Sequence, residues 1–203
     1  CIVTAFTAKK IVTILKYQNF TNTYPTGADL TRLKTWWLDI ATKFKNNPYV
    51  WFNLTNEPGS GAPAPSAWLD MHDGLIKTVR NAGANNIIVC DEHGSGQALG
   101  DGDDANSGIL TYGASLTAKY KNILFSLHTY DQWVYADDRL KNYIDKVKAK
   151  KLALIIGEYG TGNDISSAVA TSVFKNVIAA GIGRIGWQWT GVDVHKLTTS
   201  GGG

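Results

Sequence analysis

The chain has 203 residues, 44% of them apolar, with seven tryptophans and nine tyrosines, which suits one domain with a full core and excludes a disordered chain. Its 20 basic and 17 acidic residues give a formal charge of +3 scattered without long runs, so there is no electrostatic footprint for nucleic acid. No apolar stretch approaches the ~20 residues needed to cross a bilayer, and the opening residues carry no signal-peptide pattern.

Residues 1–10 read as the tail of a helix feeding a first strand. Six apolar, β-branched runs then recur at 11–17, 50–55, 87–90, 123–128, 152–158 and 182–189, spaced by the length of one strand plus one crossover helix. Between them, residues 29–46 place Leu30, Leu33, Trp37, Ile40 and Phe44 at steps of three and four, the period of an amphipathic helix. Residues 66–82 repeat this through Leu69, Leu75, Ile76 and Val79, with Ser66 as the expected N-cap and Gly83 as the stop. A less regular helix is expected over 107–121, and two more over 138–150 and 166–180, the last closing at Gly181.

The strand runs are continuously apolar rather than alternating, as in a parallel sheet buried on both faces. The fold class is therefore α/β, built from serial β/α units. Six strands are too few for a closed (β/α)8 TIM barrel, whose usual size is ~250 residues. The expectation is strands 3 to 8 of such a barrel in a single domain over 1–203, without its first βα units or final helix. Open edges at 11–17 and 185–189 would test that count. Cys1 and Cys90 are the only cysteines, and Cys90 reads as a small buried apolar residue.

The chemistry concentrates at strand ends. The run from Trp51 stops abruptly at Asn56, Glu57 and Pro58, and about a hundred residues later Leu152 to Gly160 delivers Glu158 beside glycine. Two strand-end carboxylates are the minimum equipment for hydrolysing a glycosidic bond. His128 and Tyr130 alternate along an extended segment and so point the same way. Asp91, Glu92 and His93 offer three metal-ligand types, but adjacent strand residues alternate faces and cannot converge on one ion. No metal and no cofactor is expected. Trp36, Trp37 and Trp68 sit at helical spacing and read as packing, and Trp51 as core. Trp133, in the loop after His128, is a candidate for a neighbouring sugar subsite.

In order, Asn56-Glu57-Pro58 follows the second run, His128-Thr129-Tyr130 the fourth and Gly157-Glu158-Tyr159-Gly160 the fifth, and Trp187 lies in the sixth. On these residues the chain resembles glycoside hydrolase family 5, the cellulase and β-mannanase family. The resemblance implies Glu57 as general acid/base and Glu158 as nucleophile of a retaining double displacement, with their carboxyls ~5–5.5 Å apart. It implies that Asn56 contacts the sugar 2-hydroxyl, His128 lies near the acid/base, Tyr130 hydrogen-bonds the nucleophile and Trp187 floors the sugar site.

Two departures stand out. The family's strand-two Arg has no counterpart in the chain, and Gln18, followed by Asn19, stands where family members often carry a His. The implied protein is a secreted, monomeric endo-β-1,4-glycanase acting on plant cell-wall polysaccharide. The wording around Asn81 to Gly83, Leu152 to Glu158 and Trp187 to Gly191 favours β-mannan, whereas Asn56-Glu57-Pro58 is the commoner cellulase spelling. A non-catalytic sugar-binding remnant of the same fold is the alternative. An open phosphate-binding sheet is disfavoured, because no strand is followed by a glycine-rich turn.

Overall fold

The computed structural model describes residues 1–101, 103–130, 133, 138–160 and 166–189, with backbone alone for 166–169. Six parallel strands lie side by side in chain order. They are β1 (Thr13–Lys16), β2 (Val50–Asn53), β3 (Ile88–Asp91), β4 (Ile123–Thr129), β5 (Leu154–Tyr159) and β6 (Gly183–Gly186). Helix α1 (Ile2–Thr7) leads into β1. Helices α2 (Gly27–Phe44), α3 (Ser66–Asn81), α4 (Gly108–Lys119), α5 (Arg139–Ala149) and α6 (Ser166–Ala180) carry the chain from each strand to the next.

The result is a half-barrel flanked by helices. Among the described residues β1 pairs only with β2 and β6 only with β5, so both edges are open, as six strands of an eight-stranded barrel require.

Alternation along the strands separates two environments. Val50, Phe52, Ile88, Cys90, Phe125, Leu127, Leu154 and Ile156 are buried in one core with the helix stripes Leu33-Trp37-Ala41, Leu75-Ile76-Val79 and Leu140-Tyr143-Ile144-Val147. Each such side chain contributes about 1.5–3 kcal/mol when fully buried. Their neighbours Asn53, Val89, Ser126 and Ile155 instead line a cavity on the sheet's other face.

Two indoles tie the helices to strand ends: Trp37 Nε1 donates to the Leu54 carbonyl at 2.9 Å, and Trp68 Nε1 to the Asp91 carbonyl at 3.0 Å. A buried indole needs a partner for its N–H, and here the partner is the backbone that delivers the site residues. Cys90 is buried and unbridged.

Three local expectations change. Ser66 is the first residue of α3 rather than its cap, because Pro65 holds the cap position with extended backbone. Trp36 is 36% exposed, resting edge-on against Tyr17 and Trp37 instead of entering the core. Trp51 is half-buried and borders a cavity with Ile14 and Ile155, on the face opposite Phe52.

Candidate active site

The inner face ends in a cavity of about 260 Å³ bordered by Lys16, Asn53, Ser126, Glu158 and Trp187. These residues come from five different strands or the turns that follow them. Regular alternation would place Glu158 on the same face as Leu154 and Ile156, among the helices. The β4–β5 register prevents this, since Leu127 pairs with Ile156 but His128 pairs with Glu158, leaving Gly157 as an inserted residue. Such a bulge re-aims the following side chain. Glu158 therefore emerges beside His128. A Cβ on Gly157 would lie 1.9 Å from Ser126 Oγ, so glycine is what the crossing tolerates.

Glu57 is placed differently. Its φ of +44° is in the left-handed region, a conformation that costs a non-glycine residue about 1–3 kcal/mol and is found where surroundings over-determine it. Those surroundings are visible: Glu57 N donates to Asp91 Oδ2 at 3.2 Å, and its carbonyl accepts from Asn22 N at 2.8 Å. Gly96 closes over the pair, because a Cβ there would meet His128 Nδ1 at 2.8 Å and Glu57 Cγ at 3.1 Å.

The two carboxylates face each other. One atom each from Glu57, His128 and Glu158 lie within 4.8 Å of one another. His128 Nδ1 is 2.8 Å from Glu57 Oε1 and 3.5 Å from Glu158 Oε2, while Tyr130 Oη donates to Glu158 Oε2 at 2.8 Å. Lys16 Nζ donates to Glu158 Oε1 and, at 2.5 Å, to Asn56 Oδ1. The Asn56 amide in turn donates to Thr21 Oγ1 at 2.9 Å and Glu57 Oε2 at 3.3 Å. The Trp187 ring completes the rim, its centroid 5.9 Å from Lys16 Nζ.

Below them lies a fully buried ion pair. His128 Nε2 is 3.4 Å from Asp91 Oδ2, an ionic contact rather than an aligned hydrogen bond, and Asp91 Oδ1 accepts from Asn53 Nδ2 at 2.8 Å. Burial opposes charge on the imidazole, but Asp91, Glu57 and Glu158 outweigh it and raise the His128 pKa to about 9. For Asp91 burial likewise opposes charge, and the His128 cation overcomes it and holds the carboxyl well below its usual range. At neutral pH this is a buried imidazolium–carboxylate pair.

The structure thus brings together Asn56, Glu57, His128, Tyr130, Glu158 and Trp187. Trp133 does not join them: it is 2% exposed and packs edge-on against Tyr143 of α5. A loop position beside a cleft suggested a sugar-facing ring, but α5 offers that indole more apolar area. Trp189 is 67% exposed. The adjacent trio splits as alternation demands, with Asp91 turned into the site and Glu92 accepting from Ser107, Tyr143 and the first amides of α4. His93 lies between Tyr24 Oη and the Gly61 carbonyl. Glu57, His128 and Glu158 have metal-ligand atoms, yet Lys16, Tyr130 and the imidazole protons already engage those atoms, as in a proton-handling cluster.

Sequence reasoning missed Lys16, Asn53 and Asp91. A signal existed: each is a polar or charged residue closing a short, mostly apolar strand.

Residues 1–193 match the family model described as Cellulase (glycosyl hydrolase family 5). The chain is 28% identical over 189 residues to a mannan endo-1,4-beta-mannosidase of Cellvibrio japonicus (strain Ueda107), covering 91% of this chain and 42% of that protein. It is 26% identical over 165 residues to a mannan endo-1,4-beta-mannosidase of Salipaludibacillus agaradhaerens, covering 81% and 52%. The chain thus spans about half the length of these relatives. Its backbone superimposes on the catalytic domain of a mannanase from Streptomyces sp. SirexAA-E with a TM-score of 0.80 at 22% identity, covering 97% of this chain and 62% of that one.

Proposed function

Because the chain belongs to the cellulase family, glycosyl hydrolase family 5, we propose that it carries the machinery of a retaining endo-β-1,4-glycanase, with β-mannan preferred over cellulose. The observation carrying this reading is the approach of one carboxylate oxygen of Glu57 to one of Glu158 within 4.8 Å, with Glu158 bordering the cavity. That is the close spacing of a retaining pair, since an inverting pair leaves ~6.5–9.5 Å for water.

In the first half-reaction Glu158 attacks the anomeric carbon, the C1–O bond breaks, and a proton passes from Glu57 to the departing oxygen. Water then gives a proton back to Glu57 as its oxygen bonds to C1 and releases Glu158. Tyr130 holds Glu158 in its attacking rotamer, Asn56 faces the sugar 2-hydroxyl, and Trp187 supplies an apolar face for the pyranose C–H groups. The preference for mannan rests on the mannosidase names of the relatives above and on the residues around Glu158 and Trp187. A polymer too large to enter a cell also implies action outside it. Cellulose is the second reading, favoured by the Asn56-Glu57-Pro58 wording.

Reducing-end release from galactomannan, glucomannan and carboxymethylcellulose tests both. The expected order is galactomannan and glucomannan above carboxymethylcellulose, with Glu158→Ala inactive on all three. Wild type and Glu158→Ala giving the same trace release would end the catalytic reading.

A further inference from the structure

Asp91 was not among the residues that the motifs singled out for the site, yet it reaches the acid/base by two routes. Its carboxylate is fully buried and held by Asn53 Nδ2 at 2.8 Å. Its second oxygen accepts from the backbone N–H of Glu57 at 3.2 Å and lies 3.4 Å from His128 Nε2. The opposite ring nitrogen, Nδ1, is 2.8 Å from Glu57 Oε1. One carboxylate thus contacts Glu57 twice, through its backbone and through an imidazole.

We propose that Asp91 is a positioning residue for the acid/base: its charge keeps both ring nitrogens of His128 protonated, so that His128 donates from Nδ1 to Glu57 Oε1 and leaves Oε2 as the oxygen that exchanges a proton with the substrate. The inference rests on the reading of Glu57 as acid/base. Oε1 takes the short 2.8 Å bond from His128 and Oε2 only the longer 3.3 Å bond from the Asn56 amide, so the carboxyl proton resides on Oε2, and it moves to the departing oxygen as C1–O breaks. Both His128 protons stay where they are.

Without the Asp91 charge, a neutral imidazole presents a bare nitrogen. If that nitrogen is Nδ1, it accepts from protonated Glu57 and turns the acid proton away from the leaving group. The ionisable groups facing the ring are Asp91 from β3, Glu57 from the turn after β2 and Glu158 from β5. Lys16 of β1 acts on it through Glu158.

The test uses aryl β-mannobiosides differing only in the aglycone. A dinitrophenolate leaves without protonation, whereas a phenol needs the acid. Asp91→Asn is expected to lower kcat/KM about 100-fold on the phenyl substrate and less than 5-fold on the dinitrophenyl one, through kcat rather than KM. Equal losses on both aglycones, while Glu57→Gln still discriminates between them, would overturn the role of Asp91 and leave that of Glu57 intact. If Glu57→Gln fails to discriminate, the acid/base reading falls and this inference with it. Nitrogen-15 spectra of His128 in the wild-type protein at pH 7 give a readout that needs no variant to fold. Both ring nitrogens protonated is the expected result, and an unprotonated Nδ1 overturns the proposal.

Discussion

Adding one methyl group at Gly157 tests the bulge that turns Glu158 into the cavity. The new Cβ of Gly157→Ala would sit 1.9 Å from Ser126 Oγ, 3.1 Å from Ser126 Cβ and 3.4 Å from His128 Nε2. Rotating the Ser126 hydroxyl removes the first contact but not the second, so β4 and β5 must part by a few tenths of an ångström. Overpacking of this kind costs about 1–3 kcal/mol, and two contacts of this severity place the change at about 2–3. For a domain of this size that lowers Tm by roughly 5–10 °C.

Ser126 Oγ is buried with no hydrogen-bond partner among the described residues, so Ser126→Ala alone is expected within about 1 kcal/mol of wild type. Combined with Gly157→Ala it should recover about half the loss, a coupling of about 1–2 kcal/mol. Urea unfolding of the four proteins measures this cycle. Gly157→Ala within ~0.5 kcal/mol of wild type, or strictly additive effects, would refute the steric account of the bulge. Polysaccharide hydrolysis, assayed well below the melting range, should fall further than stability does, because the same methyl group displaces Glu158.

Lys16→Met removes the cation that joins Glu158 to Asn56, and losing hydrogen bonds to a charged group, worth about 1.5–3 kcal/mol, predicts a 10- to 100-fold fall in kcat with KM little changed. Lys16→Arg should keep most of the activity; an active Lys16→Met would show that Glu158 needs no such partner. Trp133→Phe is expected to lower stability by about 1–2 kcal/mol and leave KM within roughly twofold, as befits a core residue; a tenfold rise in KM would restore the sugar-subsite expectation. Burial lowers the His72 pKa to about 4, against a weaker pull from the Trp68 carbonyl, so the unfolded chain binds more protons between that value and about 6.5. Stability should therefore fall as pH drops through that window, by up to ~3 kcal/mol, and His72→Phe should flatten the slope. His128 runs the other way, contributing fully below about 6.5 and losing its share as pH rises through about 9, which urea midpoints from pH 4 to 10 would register.

The element order was legible because the apolar runs of a doubly covered parallel sheet and the stripes of its helices are local patterns. Residues 11–17 to 182–189 announced six strands, and each appears at its expected place: β1, β2, β5 and β6 are shorter than their runs, β3 is shifted by one residue and β4 runs one residue further, to Thr129. Glu57 and Glu158 stood out because each interrupts an apolar run at the point where a strand must stop. Trp133 misled because nothing within its own loop reveals that Tyr143, ten residues on, will cover it.

By itself the sequence determined which residues form strands, which helical faces are buried and which strand ends carry charge, since these follow from spacing along one segment. Only the tertiary structure decided which of those charges meet. The phase of Glu158 depends on a one-residue shift against β4, and the contacts of Lys16 and Asp91 join strands 142 and 37 positions apart. Periodicity is a property of neighbouring residues, whereas strand register and the meeting of side chains at one mouth of the sheet arise from packing between segments remote in the chain.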